Sequence, residues 1–187
     1  DIDELSKKDN IKTVFKGASG LYPAKNRFLI QLSNGGGDAV IIKEFDTEKK
    51  QFIANGFQID EAKGGASYID ENTLCVSTDF GEGTMTASGY PSQVKIWKRG
   101  TFLKDAPTIY KGEYSDVGTW GGILKDDMKT YTFISRATTF FTGQKLIWIN
   151  DHVVTLDIPE DCGLNGLLKD QLIVQLKSDW TIDSKTF

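Results

Sequence analysis

Three stretches of the chain obey one grammar: "YIDENTLCV", "ILKDDMKTYTF" and "LLKDQLIV" each run a short apolar strand into an Asp-centred turn and out into a second apolar strand. "YPAKNRFLIQL" is a looser copy. Anchored on the second strand, the copies sit at Leu29, Leu74, Tyr131 and Leu172, which are 45, 57 and 41 residues apart. A unit of this size cannot bury an apolar face alone, and four-stranded units recurring every ~40–50 residues are what a β-propeller blade requires. The outer half of each unit repeats as well. "DAVIIKEFD" then "QFIANG", "QVKIWKRG" then "TIYKGE", and "KLIWIND" then "HVVTLD" follow the first three pairs in order.

Period-2 and β-branched runs bounded by Gly, Asn and Asp predict strands at 13–16, 27–33, 39–45, 51–54, 66–69, 73–78, 93–98, 108–111, 121–124, 130–135, 145–149, 153–157, 164–168 and 171–177. The one helix candidate is "DIDELSKKD" at the start. The expected fold is all-β, a stretch of β-propeller with about three complete four-stranded blades at 20–60, 64–113 and 118–160 and partial blades at the flanks. "KTVFKG" reads as the outer strand of a preceding blade, and 163–180 as the first two strands of a following one. Both ends look cut, since the chain opens on Asp1 and stops without a cap.

Composition narrows the partners. Of 187 residues, 22 are basic and 26 acidic, a net charge of -4 that offers no footprint for nucleic acid. No apolar run approaches the ~20 residues of a membrane span. Cys75 and Cys162 lie far apart beside apolar stretches, which reads as inert buried thiols rather than a disulfide or zinc site. Unpaired cysteines lean toward a reducing, cytoplasmic setting, with the periplasm left open. No metal or other cofactor is expected.

The order "RFLIQLSNGGGDAVIIKEFD", "STDFG", "SGYP" and "VKIWKRGT" resembles the propeller domain of prolyl oligopeptidase (prolyl endopeptidase) family serine peptidases. The likeness runs from about Tyr22 to Trp180 and is most specific over 78–101. It implies a seven-bladed propeller capping an α/β-hydrolase domain and admitting short peptides, not folded proteins, to the serine. That chemistry needs a Gly-x-Ser-x-Gly elbow and a histidine base. Ser19 and Ser67 each have a glycine two before but Leu21 or Ile69 two after, and the only histidine, His152, opens an outer strand. No catalytic residue carries over, so this chain by itself is expected to be inactive.

Other constellations have simpler readings. Asp70–Glu71, Asp126–Asp127 and Asp170 could be the paired acids of a glycosidase, but all fall in equivalent hairpin turns, where Asp bonds its own backbone. Lys95, Trp97, Lys98 and Arg99 interleave base and aromatic as single-strand binders do. Strand alternation accounts for them by putting Val94 and Ile96 on one face and Lys95 and Trp97 on the other. The ~12-residue connection "FGEGTMTASGYP" is long enough to be functional. Its Gly81-Glu82-Gly83 lacks the spacing of a dinucleotide loop. Glu82, Met85 and Tyr90 there, with Phe140 and Phe141 in the equivalent loop of the next unit, are the candidate domain-contact residues. Packing on the sheet below is the simpler expectation for the two phenylalanines. Expected partners are a hydrolase domain of the parent chain, short peptides, and a second copy covering any open blade face. The alternative function is a stand-alone protein- or carbohydrate-binding propeller.

Overall fold

Alternating apolar residues separated by turn formers build strands that each need a neighbour on both faces, and the chain meets that need with stacked antiparallel sheets. The structure, a computed structural model, describes residues 1–187, the Asp9 side chain excepted. A short helix α1 (Ile2–Asp9) comes first, N-capped by Asp1, whose carboxylate accepts the Asp3 N–H at 2.8 Å. The first sheet follows in the order β1 (Thr13–Gly20), β2 (Arg27–Asn34), β3 (Val40–Asp46) and β4 (Gln51–Phe52), with β5 (Gln58–Ala62) also on β3. The second is β6 (Gly65–Asp70), β7 (Thr73–Ser77), β8 (Gln93–Lys98), β9 (Thr108–Lys111). The third is β10 (Gly118–Lys125), β11 (Thr130–Ala137), β12 (Gly143–Ile149), β13 (His152–Thr155). The hairpins β14 (Gly163–Leu168)–β15 (Gln171–Gln175) and β16 (Thr181–Ile182)–β17 (Lys185–Thr186) end the chain.

The first strands of successive sheets lie side by side, β1 against β6, β6 against β10 and β10 against β14, while the fourth strand β9 meets β13. First strands therefore surround an axis and fourth strands form the rim, which is propeller geometry. All fourteen expected strands are present, but one is in a different place. "KTVFKG" does not close a preceding blade: β1 pairs with β2 from Thr13↔Asn34 to Gly20↔Phe28 and is the innermost strand of the first sheet. Residues 22–24, which open the looser copy "YPAKNRFLIQL" of the strand–turn–strand grammar, form the turn and not a first strand. The outer edge of that sheet is split. β4 pairs only with Phe45 and Asp46, and β5, unforeseen in the sequence, takes the Val40 half of β3.

Two seams hold the sheets together. Leu29, Val40, Ile42, Phe57 and Ile59 of the first unit meet Tyr68, Leu74, Val76 and Trp97 of the second. Cys75, Val94 and Ile96 on the opposite face of the second sheet meet Ile134 and Leu146 of the third. The Val94/Ile96 versus Lys95/Trp97 alternation is thus as expected, with Trp97 buried against the first unit and Trp148 packed against the second. Gly121 marks the tightest approach. A methyl there would collide with Cys75 Sγ and Val94 Cγ1, and its own N–H donates to Ser77 Oγ at 2.8 Å across the seam.

Candidate functional site

The turns that join first to second strands lie together in one mouth around the axis, and in the second and third units an Asp side chain closes the turn on its own backbone. Asp70 Oδ1 accepts the Asn72 N–H at 2.7 Å. Asp126 Oδ1 accepts Met128 and Lys129 N–H, both at 2.8 Å, and its Oδ2 accepts the Asp170 N–H at 2.7 Å from the next unit's turn. Asp170 accepts Tyr131 Oη–H at 2.6 Å and pairs with Lys129. All these carboxylates are committed to turns and to neighbouring hairpins. Backbone N–H groups, Asp170's first, hold Asp126 below the usual aspartate range, and the Lys129 and Tyr131 hydrogen bonds do the same for Asp170.

Two clefts lie at this mouth. The outer one, about 500 Å³, is bounded by the turns of three units, including Tyr22, Glu71 and Asp127. The inner one, about 250 Å³, is bounded by Ser19, Gly20, Ser67, Tyr68 and Ile123 of the innermost strands. Tyr22 and Lys125 border both. Tyr22 Oη–H donates to Asp127 Oδ1 at 2.7 Å, joining the first unit's turn to the third's past the second's. That hydrogen bond, and then the Asp127 charge, raise the Tyr22 phenol above its ordinary value. Lys125 Nζ donates to the Ile69 carbonyl at 2.9 Å, and burial lowers its pKa.

The opposite face carries the candidate loop residues. Glu82 is exposed at the tip of the 78–92 connection, while Met85 is half-buried and bridges to Pro91. Tyr90 stacks edge-on against Trp120 with centroids 5.7 Å apart, under Lys63 Nζ at 4.5 Å. Thr86 Oγ1 donates to the Val117 carbonyl at 3.0 Å and the Ala87 N–H to the Tyr114 carbonyl at 2.8 Å, so the connection is tied to the next unit. Phe140 and Phe141 do not pack on the sheet. They are 80% and 84% exposed. Thr139 Oγ1 accepts the Phe141 and Thr142 N–H groups at 3.1 and 3.0 Å and closes the turn that carries the two rings. Tyr114, 72% exposed, joins them on this face.

Among the described residues no nucleophile–base pair assembles. Ser19 and Ser67 point to the inner cleft, whereas His152 is exposed at the start of β13 on the rim. The Cys75 thiol is pushed up to about 12 by burial and is inert. Sequence reasoning missed Tyr22, Lys125 and Asp127 as a set, and the signal available was that they fall in or beside equivalent turns.

The fold and mouth define a β-propeller segment. No family model matches the chain. It is 37% identical over 187 residues to the uncharacterized peptidase y4nA of Sinorhizobium fredii (strain NBRC 101917 / NGR234), covering 97% of this chain and 26% of that protein. It superposes on the structure of a post-proline cleaving enzyme from Rickettsia typhi with a TM-score of 0.90 at 29% identity, covering 99% of this chain and 29% of that one. A structure from work on two prolyl endopeptidases gives a TM-score of 0.67 over 87% of this chain and 24% of that one, and at 10% identity it shows the fold alone. The chain belongs to the prolyl oligopeptidase family as a β-propeller segment, and spans about a quarter of the length of its curated relatives.

Proposed function

We propose that this chain is the non-catalytic part of a prolyl oligopeptidase-like serine peptidase and that it gates the access of short peptides to a hydrolase domain. The observation that carries this reading is the axial mouth, where turns from consecutive units surround two adjoining clefts that share Tyr22 and Lys125 while the serines beside them have no base among the described residues. Clefts of about 500 and 250 Å³ have room for a stretch of extended peptide but not for a folded domain. In the full-length protein, kcat/KM measured on a ladder of proline peptides should fall steeply with length, and a folded proline-containing protein should resist cleavage. Equal cleavage of short peptides and folded substrate would contradict the reading.

On this reading, the loop face bearing Glu82, Met85, Tyr90, Phe140 and Phe141 meets the hydrolase domain, since exposed aromatic rings are the usual anchors of an interface. The alternative, a binding propeller with no peptidase attached, draws on the same exposed rings. A downstream Gly-x-Ser-x-Gly elbow in the open reading frame favours the first, and its absence the second. The 187-residue chain also leaves Phe15 51% and Ile173 46% exposed on its outer sheets. We infer that it self-associates through them. A monodisperse monomer in light scattering at working concentration would argue against this.

A further inference from the structure

Of the contacts that the stacked sheets do not explain, one is in the right place to control the mouth. Neighbouring units already share seams, so contacts between them follow from the fold. Tyr22 and Asp127 belong to units one and three, 105 positions apart, and their 2.7 Å hydrogen bond runs past the turn of unit two. Tyr22 borders both the outer and the inner cleft, so it stands between them. The ring is 41% exposed and joins neither core cluster, which leaves the hydroxyl–carboxylate bond to fix its position. The turn behind it is better held. The Leu21 and Lys25 N–H groups donate to the Arg27 and Leu21 carbonyls at 2.9 and 2.7 Å. Asp127 follows Asp126, whose three backbone hydrogen bonds pin its turn. Both anchors are therefore firm, and the bond between them is solvent-accessible and breakable.

We propose that the Tyr22–Asp127 hydrogen bond is a latch across the axial mouth that sets the upper size of peptide entering from this face. The proposal rests on the gating reading above and names the residues that decide its selectivity. Breaking the bond lets the Tyr22 ring swing away, and the two clefts become one passage. An exposed charge-assisted pair biases such an equilibrium by up to about five-fold.

The test uses the full-length protein and a ladder of proline peptides of increasing length. Tyr22→Phe keeps the ring and removes the donor, and Asp127→Ala removes the acceptor. Each should raise kcat/KM for the longest cleaved peptides, relative to the shortest, by up to about five-fold. The double variant should do no more than either single one, because both remove the same bond. A ring that merely packs would give no length dependence. A wild-type enzyme that selects by length, with the same profile in both variants, would overturn the latch and leave the gating reading standing. A wild-type profile with no length dependence would overturn the gating reading and the latch with it.

Discussion

The two seams between sheets solve the same packing problem with opposite chemistry. Between the first and second units, the Glu44 carboxylate is 1% exposed in the middle of the apolar contact. It accepts Arg99 Nη1 and Nη2 at 2.8 and 2.7 Å, Tyr68 Oη–H at 2.9 Å and the Phe57 N–H at 3.0 Å. The Arg99 guanidinium lies 4.2 Å from the Phe57 ring and also donates to the Glu71 carbonyl at 2.8 Å. Between the second and third units the centre is apolar, and the ion pair is moved to the loop edge. There Arg136 Nε donates to Asp116 Oδ2 at 2.8 Å and Nη2 to Oδ1 at 3.1 Å. A fully ligated buried carboxylate fixes the register of two sheets, but it leaves an uncompensated charge if one ligand goes. An apolar seam tolerates sliding better and loses stability only in proportion to the volume removed.

The largest expected effect comes from stranding that charge. Arg99→Ala should destabilise the chain by about 3–5 kcal/mol in urea unfolding, and a loss below about 1 kcal/mol would show that the carboxylate is not held as described. Ile134→Ala in the apolar seam should cost about 3 kcal/mol through the cavity it leaves. A cost exceeding that of Arg99→Ala would invert the comparison. Arg136→Ala, at the loop edge of the seam, should cost about 2 kcal/mol, because it strands an Asp116 carboxylate that still keeps the Glu113 N–H at 2.7 Å as a ligand.

Acid should act through both seams with a definite sign. Burial pushes the Glu44 carboxyl up, but Arg99, the Phe57 N–H and Tyr68 together outweigh it and hold the pKa below the usual glutamate value. Asp116 is likewise pushed up by burial and brought below its usual value by Arg136 and the Glu113 N–H. The unfolded chain thus binds protons more readily than the folded one. Their contribution is complete above the ordinary carboxylate range and is lost as pH falls through and below it. Glu44→Gln should flatten this acid slope more than Asp116→Asn does, because Glu44 has the Tyr68 hydroxyl as an added donor, and equal flattening would count against that added ligand. The smallest effect belongs to the loop face, where Phe140→Ser with Phe141→Ser should change stability by less than about 0.5 kcal/mol. A larger loss would mean that the rings pack within this chain.

Much of this architecture was legible in the sequence because it is local. The Asp-centred turns, the face alternation of Val94 to Trp97 and the opening helix depend on residues a few positions apart. What escaped is non-local or short. "KTVFKG" has the same β character as an outer or an inner strand, and only its pairing with Phe28 to Asn34 decides which it is. β5 presents a single buried residue, Ile59, among polar neighbours, too weak a pattern to stand out. Glu44 and Arg99 are 55 positions apart, and although strand alternation puts Glu44 on the buried face with Val40 and Ile42, nothing local names Arg99 as its partner. For the candidate site, the turns could be located from the sequence but not the Tyr22 contact across them, which depends on how three units stack.

The most direct test of the account is hydrolysis of a short chromogenic proline peptide by this 187-residue chain alone and by the full-length protein that contains it. The account predicts turnover only by the full-length protein. Turnover by the chain alone would contradict it, because a nucleophile and base would then have to exist where Ser19, Ser67 and His152 stand apart.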